Sequence, residues 1–292
     1  MTKTVLLTGG NGFIARSLKE SLLEYNILCL SKEQLNLLDA ESVYNSIKNN
    51  SVDIVIHCAT YDAAPEFSNK DPNKVLENNI RMFHNLARCN DRIEKMIYFG
   101  SGAEFSRPHW KPYMSEEYFD KHIPDDQYGY SKYLMNKHAM SSDNIYNLRV
   151  FGLFGFYDDW RYRFIPNACC KTLLDMPIKM RHNAIFDYTY IDDLVSVVRW
   201  VIEDRPQHND YNVCTSNPKS YEYLASSILE QAGKDLDIII ENKSPAYEYS
   251  GDNSRIIKET GMSFMSIEES IKKIYALYEK NKGIINKELF VY

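Results

Sequence analysis

Apolar and polar positions along the first half of the chain alternate between patterns typical of strands and patterns typical of helices. Short apolar runs that predict strands lie at 4–8, 26–30, 52–58, 95–100 and 145–151. Stretches that favour helices lie between them, at 16–24, 40–49, 74–88 and around Tyr128. Because strands joined through helices pair in parallel, the pattern predicts an α/β fold built on a parallel sheet.

A glycine-rich turn connects the first predicted strand to the first predicted helix, from Gly9 to Ala15. In a dinucleotide-binding turn the first glycine permits a tight bend, the second lets the backbone approach a pyrophosphate, and a third small residue allows close helix packing. Gly9, Gly12 and Ala15 occupy those three positions. The strand before the turn and the helix after it favour nucleotide binding over the alternative, an ordinary loop.

Tyr128 and Lys132 stand four residues apart on a segment that favours a helix, so both side chains should project from one helix face. An ammonium beside a phenol favours the phenolate and lowers the pKa of the phenol from about 10. Such a phenol can act as a general acid or base at a carbonyl. The alternative is a chance surface pairing, because both residue types are abundant in this chain.

Length and composition limit the classes to which the chain can belong. With 292 residues and 44% hydrophobic content it can bury a sizeable core, as one large domain or two closely packed ones. The net charge of −6 and the lack of a long basic run argue against nucleic-acid binding. No run approaches the roughly 18 apolar residues of a membrane span, and we expect no signal peptide because the chain enters a strand at once.

The six cysteines are scattered or adjacent and lack the CxxC spacing of zinc and redox sites. We therefore expect reduced core thiols, a cytoplasmic protein and no bound metal.

Three motifs together resemble those of a known family. They are the segment from Thr8 to Ala15, the Tyr128 and Lys132 pair, and Ser101 directly after a predicted strand. On these residues, and over nearly its whole length, the chain resembles the extended short-chain dehydrogenase/reductases, the NAD-dependent epimerase/dehydratase group. The segments 30–39, 99–101 and 164–166 are most similar to the GDP-fucose synthase-like nucleotide-sugar reductases of that group.

The resemblance implies a Rossmann-type, doubly wound parallel sheet followed by a smaller substrate-binding α/β lobe. We expect an NAD(P)-binding domain at 1–155 and a sugar-nucleotide lobe mainly at 156–292, with roughly 184–204 returning to the main sheet. The resemblance also implies a nucleotide-diphosphate sugar as substrate and a homodimer.

In this family the second strand ends on an acidic residue when the ribose 2′-hydroxyl is free, and on a small or basic residue when a phosphate must be accommodated. Ser31 and Lys32 stand there, which favours NADP(H) over NAD(H), because a lysine attracts a phosphate that a carboxylate would repel. A solvated loop lysine is the alternative for Lys32. The resemblance places these residues at the cofactor: Gly9, Asn11, Gly12, Phe13, Ile14, Ser31, Lys32, Leu38, Asp39, Cys58, Ala59, Thr60, Tyr128, Lys132 and Phe151.

Catalysis by resemblance involves three side chains and a helper. Ser101 would hydrogen-bond the substrate carbonyl, Tyr128 would give or take the proton, and Lys132 would hold the nicotinamide ribose while tuning the phenol. Asn79 matches the structural asparagine of the family, with a plain helix-surface amide as the alternative.

Two positions depart from the fucose synthase pattern, in which a cysteine and a histidine move protons at the sugar carbons beside the ketone. Here these positions are Ala103 and Arg163. Neither suits a general base, so we expect no epimerisation at C3 or C5. Glu104 occupies the place of a dehydratase acid, but the acid that should precede it is missing. Dehydration is therefore disfavoured, and Glu104 has a solvated or capping carboxylate as its alternative.

The predicted substrate-binding residues are implied by the same family resemblance and by an aromatic loop that follows Gly155. Each cation among them has an ordinary surface role as its alternative. They are Ala103, Glu104, Arg163, Asn167, Lys171, Arg181 and Tyr188.

Three hypotheses about function follow. The leading one is an NADPH-dependent 4-ketoreductase acting on a nucleotide-linked 4-keto-6-deoxy sugar. The second is an epimerase or dehydratase that recycles NAD, and the third is a non-catalytic cofactor-binding scaffold.

Overall fold

A computed structural model describes residues 2–63, 68–242 and 247–291 of the chain. The strands in this part of the chain are β1 (Thr4–Thr8), β2 (Asn26–Leu28), β3 (Ile54–His57), β4 (Lys95–Ser101), β5 (Ile145–Val150), β6 (Gly152–Phe154), β7 (Ile178–His182), β8 (Ile185–Phe186), β9 (Tyr188–Tyr190), β10 (Asp210–Val213), β11 (Lys219–Ser220), β12 (Ile238–Asn242) and β13 (Glu248–Tyr249). The helices are α1 (Phe13–Ser21), α2 (Ala40–Asn49), α3 (Val75–Ala87), α4 (Gln127–Ala139), α5 (Phe164–Leu173), α6 (Ile191–Glu203), α7 (Tyr221–Ala232), α8 (Ser254–Thr260) and α9 (Ile267–Lys280).

The main sheet has six strands in the order β10-β5-β4-β3-β1-β2, and every neighbouring pair is parallel. Helices connect its successive strands, which confirms the α/β class predicted from the alternating pattern. The chain leaves β1 toward β2 on one side and returns to β3 on the other. The strand order therefore reverses at β1, and open parallel sheets bind ligands at the carboxyl ends of the strands beside such a reversal.

The chain divides into two compact units. The first contains the described residues of Met1–His109, Ser115–Val150 and Val195–Val213, and the second those of Trp110–Met114, Phe151–Leu194 and Cys214–Tyr292. The segment that belongs to the main sheet late in the chain is thus 195–213, which supplies β10, rather than the predicted 184–204. Strand β9 pairs instead with β6 in the second unit.

The strands of the first unit are continuous apolar runs in the sequence because they are buried in its core. Leu6, Val55, Met96 and Ile145 are fully buried on successive strands, because helices cover the sheet. The ring of Phe83 from α3 meets Tyr98 of β4 edge to face, with ring centroids 5.0 Å apart.

Most predicted element boundaries are confirmed to within a few residues, and α2 matches its predicted range. Helix α1 begins at Phe13 instead of residue 16, because the carbonyl of Gly12 already accepts the amide of Arg16 at 3.0 Å. The six cysteines are free thiols. Among the residues described, no helix is long and apolar enough to cross a membrane.

Candidate cofactor and active site

The glycine turn after β1 is shaped so that side chains are excluded from it. Gly9 has a φ of +68°, and a Cβ there would lie 2.8 Å from the backbone of Ala59. A Cβ on Gly10 would lie 2.0 Å from the sulfur of Cys29. The amide of Gly12 donates to the carbonyl of Gly9 at 2.8 Å, which closes the turn directly before α1. The backbone is therefore bare where a pyrophosphate would approach it.

A cavity of about 780 Å³ opens beside this turn, at the carboxyl ends of β1, β2 and β3. Its size and its glycine wall fit a dinucleotide, so the residues present suit a nicotinamide cofactor. The predicted cofactor residues that line it are Gly9, Asn11, Gly12, Ser31, Lys32, Leu38, Cys58, Ala59 and Thr60.

Six predicted cofactor residues are absent from the lining of this cavity, and two of them, Tyr128 and Lys132, lie on α4. Phe13 and Ile14 begin α1, and Phe151 packs in the second unit, with its ring centroid 5.0 Å from that of Tyr249. Asp39 caps α2, because its Oδ1 accepts the amides of Glu41 at 2.9 Å and Ser42 at 3.2 Å. The Asp39 carboxylate therefore serves as the N-cap of α2, a role that the family resemblance did not imply.

Residues that the sequence analysis missed also line the cavity or support its floor. The Thr8 hydroxyl and Nδ1 of His57 are hydrogen-bonded at 2.9 Å, and the amide of Ala59 donates to the same hydroxyl at 3.2 Å. Burial lowers the pKa of His57 to about 3, so this ring is neutral at physiological pH. The contact joins the turns after β1 and β3. His57 is the single polar residue at the end of the apolar strand β3, and this pattern could have predicted a buried hydrogen bond there. Further lining residues are Lys19, Tyr61, Lys70, Asn78 and Met82.

Ser101 ends β4 and begins a 3-10 turn at Gly102–Phe105. The hydroxyl of Ser101 accepts the amide of Ala103 at 3.2 Å, and the amide of Ser101 donates to Oε1 of Glu104 at 3.0 Å. This reciprocal capping box fixes Ser101 at the carboxyl end of its strand.

Glu104 is completely buried and forms a salt bridge with Arg149, from Oε2 to Nε at 2.9 Å. The side-chain amide of Asn147 also donates to the Glu104 carboxylate, at 3.1 Å to Oε2. Burial raises the pKa of Glu104, and the charge of Arg149 acts in the opposite direction. The solvated alternative for Glu104 is therefore wrong and the capping alternative is confirmed. A direct substrate contact does not fit either Glu104 or Ala103, since neither side chain is exposed beyond 1%.

Helix α4 carries Tyr128 in its first turn and Lys132 in its second. Its start is fixed by Asp126, whose Oδ1 accepts the amide of Gly129 at 2.8 Å. The Nζ of Lys132 lies 5.7 Å from the ring centroid of Tyr128 and donates to the carbonyl of Phe99 at 2.8 Å. The two side chains are thus neighbours, as their spacing predicted. A chance surface pair is excluded because Lys132 is 5% exposed.

Asn79 connects the loop after β3 to helix α4. Its Oδ1 accepts the amide of Tyr61 at 2.7 Å, and its Nδ2 donates to the carbonyl of Tyr61 at 3.1 Å. The same Nδ2 donates to the hydroxyl of Ser131 at 3.4 Å, which in turn donates to the carbonyl of Tyr128 at 2.7 Å. Asn79 is 2% exposed, so the plain helix-surface amide is wrong.

The other predicted substrate residues all lie in the second unit. Asn167 is nearly buried and donates to the carbonyls of Trp160 and Arg161, at 3.1 and 2.9 Å. Lys171 is 1% exposed with its Nζ 5.6 Å from the ring of Phe290, so neither the surface role nor an open contact with substrate fits it.

Three of these residues retain accessible side chains. Arg163 is exposed and lies 3.8 Å from Asp158, whose pKa burial raises to about 6. The hydroxyl of Tyr188 lies 3.5 Å from that of Tyr221, and Arg181 is exposed on β7.

The parallel sheet, the side-chain-free glycine turn and the cavity at the strand reversal define a Rossmann-type dinucleotide-binding protein. Residues 5–214 match the model of the NAD dependent epimerase/dehydratase family, and the chain belongs to that family. It is accordingly an enzyme of the extended short-chain dehydrogenase/reductase type that uses a nicotinamide cofactor. The resemblance inferred from the motifs is confirmed.

Individual proteins are similar to the chain over most of its length. The spore coat polysaccharide biosynthesis protein SpsK of Bacillus subtilis (strain 168) is 24% identical over 275 residues, which are 90% of this chain and 93% of SpsK. The structure of a GDP-L-fucose synthetase from Naegleria fowleri has a TM-score of 0.82 at 17% identity and covers 98% of this chain and 96% of its own. The GDP-mannoheptose C4 reductase MlghC from Campylobacter jejuni, with NADP bound, has a TM-score of 0.81 at 17% identity, with coverages of 95% and 98%. These structural likenesses confirm the fold class.

Proposed function

We propose that the protein reduces the C4 ketone of a nucleotide-linked 4-keto-6-deoxy sugar with NADPH, in the biosynthesis of surface polysaccharide sugars. The observation that carries this proposal is the buried Lys132 beside Tyr128, on a helix bound through Asn79 to the wall of the cofactor cavity. A phenol next to a fixed cation, close to a nicotinamide site, suits proton transfer to a sugar oxygen.

Three side chains of the protein would position the ketone and transfer the proton. When bound, the nicotinamide supplies a hydride to C4. Tyr128 donates a proton to the oxygen that becomes the alcohol, and Lys132 favours the resulting phenolate through its charge. Ser101, fixed at the end of β4, orients the carbonyl oxygen by hydrogen bonding. Water need not enter the reaction, because the proton comes from the phenol.

Preference for NADPH rests on the charge of the cavity. Lys32 lines the wall beyond β2, where an acidic residue would bind an unphosphorylated ribose. None of the lining residues within 2–63, 68–242 and 247–291 is an aspartate or glutamate. The Lys32 ammonium would therefore attract a 2′-phosphate, and none of the described lining residues is a carboxylate that would repel it.

Reduction without epimerisation at C3 or C5 follows from Ala103 and Arg163. Alanine cannot exchange a proton, and a guanidinium stays protonated at neutral pH. The enzyme of Campylobacter jejuni, named as a C4 reductase, supports a simple reduction. The family model, whose description combines epimerases with dehydratases, keeps an NAD-recycling reaction as the second candidate. A non-catalytic scaffold is the third.

Cofactor stoichiometry separates the three candidates. The protein is incubated with NADPH and a panel of 4-keto-6-deoxy sugars linked to thymidine, guanosine or cytidine diphosphate, and absorbance at the reduced-nicotinamide band is followed. One NADPH consumed for each product alcohol seen by NMR is expected. A changed sugar without net NADPH loss indicates recycling, and an unchanged sugar across the panel indicates a scaffold. Light scattering of the same sample tests the predicted homodimer.

The role of Tyr128 is tested by Tyr128→Phe, which removes the proton and keeps the ring. Turnover should fall by a factor on the order of a hundred or more, with NADPH affinity nearly unchanged. Tyr130→Phe on the same helix is the matched control and should retain turnover. A Tyr128→Phe protein that turns over like the wild type would exclude this tyrosine as the acid.

A further inference from the structure

Besides Lys32, the cofactor cavity is lined by Lys19, which none of the sequence motifs includes. Lys19 lies on α1, the helix that follows the glycine turn, and it lines the same cavity as Lys32. It also borders a shallower depression beside the turn, with Gly10 and Asn11 among the shared neighbours. Lys19 thus borders both concavities.

Glu20 borders the shallower depression together with Lys19, but Lys19 is not part of an ion pair in the described residues. In the described part of the chain, neither Lys19 nor Lys32 forms a salt bridge or a side-chain hydrogen bond. Lys70, the other lining lysine, belongs to the opposite side of the strand reversal, after β3. Its Nζ donates to the carbonyl of Thr60 at 3.4 Å and lies 5.1 Å from the ring of Tyr61.

Lys19 and Lys32 lie on the same side of the strand reversal. Lys32 follows β2, and Lys19 belongs to the helix that connects β1 to β2. In dinucleotide-binding sheets the adenosine ribose is recognised at the end of this second strand, about 20 residues after the glycine turn. Arg16, one turn earlier on α1, lines only the shallower depression. Of these two helix cations, only Lys19 therefore lines the dinucleotide-sized cavity.

We propose that Lys19 is a specificity-determining residue that binds the 2′-phosphate of NADPH together with Lys32. This inference rests on the proposed preference for NADPH. Two ammonium groups approaching from a helix and from a loop can neutralise a phosphate dianion that one lysine neutralises only in part. NADH lacks the phosphate and gains nothing from Lys19, so the residue acts on the ratio of the two affinities.

The size of the effect follows from Coulomb attraction across a largely solvated contact. One ammonium about 4 Å from a dianion changes affinity by roughly thirtyfold in unscreened water, and physiological salt reduces this to about tenfold. Because the site is open to solvent, salt should weaken the NADPH preference measurably between low and physiological ionic strength.

The experiment measures dissociation constants of NADPH and NADH by nicotinamide fluorescence, and of 2′,5′-ADP and 5′-AMP by competition. The variants are Lys19→Met, Lys32→Met, the double variant, and Lys48→Met as an exposed lysine control on α2. Lys19→Met should weaken NADPH and 2′,5′-ADP about tenfold and leave NADH and 5′-AMP within about twofold. The double variant should lose most of the preference, and Lys48→Met should retain it.

Two results would overturn the role of Lys19. In one, Lys19→Met weakens NADPH and NADH equally, which would assign the lysine to the shared pyrophosphate. In the other, the NADPH preference survives unchanged. A wild-type protein that binds NADH as tightly as NADPH would instead refute the cofactor preference itself. None of these binding results depends on the sugar, so the proposed ketone reduction is judged separately by its stoichiometry.

Discussion

Lys132 lies in an environment that is unusual for a lysine. It is 5% exposed, and burial lowers its pKa from 10.5 to about 8, against the opposing charges of Glu104 and Asp62. A cation kept in such a place costs stability, which natural proteins tolerate mainly at functional sites. This cost in stability supports a functional role for the Lys132 ammonium beside Tyr128.

The lowered pKa of Lys132 gives a pH dependence with a definite sign. Below about pH 8 both the folded and unfolded states hold the proton, and the burial penalty is fully present. Between about 8 and 10.5 only the unfolded state holds it, so the penalty is relieved and stability rises with pH. Relative to Lys132→Met, the wild type should gain about 2 kcal/mol in unfolding free energy from pH 7.5 to 10. Urea unfolding at both pH values measures this, and parallel pH profiles for the two proteins would contradict it.

At the scale of elements, the site depends on how closely α4 packs against the 3-10 turn that follows Ser101. A Cβ on Gly129 would lie 2.7 Å from the carbonyl oxygen of Ala103 and 3.0 Å from Pro124. Glycine at this position lets the Tyr128 helix approach the Ser101 turn. The relative placement of Tyr128 and Ser101 is therefore set by a backbone contact between two elements.

Gly129→Ala should push these two elements apart. We expect turnover to fall at least about tenfold, because proton transfer is sensitive to displacements of about an angstrom. We also expect a net loss of stability of about 1 kcal/mol or more, since the contact with backbone outweighs the helix preference of alanine. Steady-state kinetics and urea unfolding measure the two effects. Gly283→Ala is the control, because a Cβ there meets nothing within 4 Å. Wild-type turnover in Gly129→Ala would show that the contact is unimportant.

At the scale of the whole molecule, buried charges attach the late segment 195–213 to the main sheet. Arg149 of β5 donates from Nη2 to Asp210 of β10 at 2.9 Å and from Nη1 to Asn212 at 2.9 Å. The same guanidinium binds Glu104 behind Ser101. One arginine therefore connects the 3-10 turn after Ser101 with β5 and with β10 at the edge of the sheet.

Asp210→Asn should remove one carboxylate from this buried network while keeping its shape. We expect the protein to lose about 3 kcal/mol of unfolding free energy, because Arg149 keeps its charge with one partner fewer. Glu94→Gln, in the exposed pair with Lys3, is the control and should cost less than about 1 kcal/mol. Urea unfolding followed by far-UV circular dichroism compares the variants, and equal losses would show that the buried network is no stronger than a surface pair.

The sequence alone determined the features that arise from residues close together in the chain. The order of strands and helices followed from hydrophobic period, the turn at Gly9 to Gly12 from the small residues it contains, and the adjacency of Tyr128 and Lys132 from the helical repeat. Each is set by backbone geometry over a few residues. Local physics therefore sufficed for the α/β class and for the position of the cofactor turn.

The tertiary structure decided how distant residues are combined. Glu104 became a buried partner of Arg149, 45 positions away, and Asn79 became the link to Ser131, 52 positions away. The segment that completes the sheet begins at 195, and Lys19 and Lys32 line one cavity. These placements result from chain crossovers and from the burial of polar groups that must find partners in the interior. No local pattern specifies such partners, because the chain must fold before they meet.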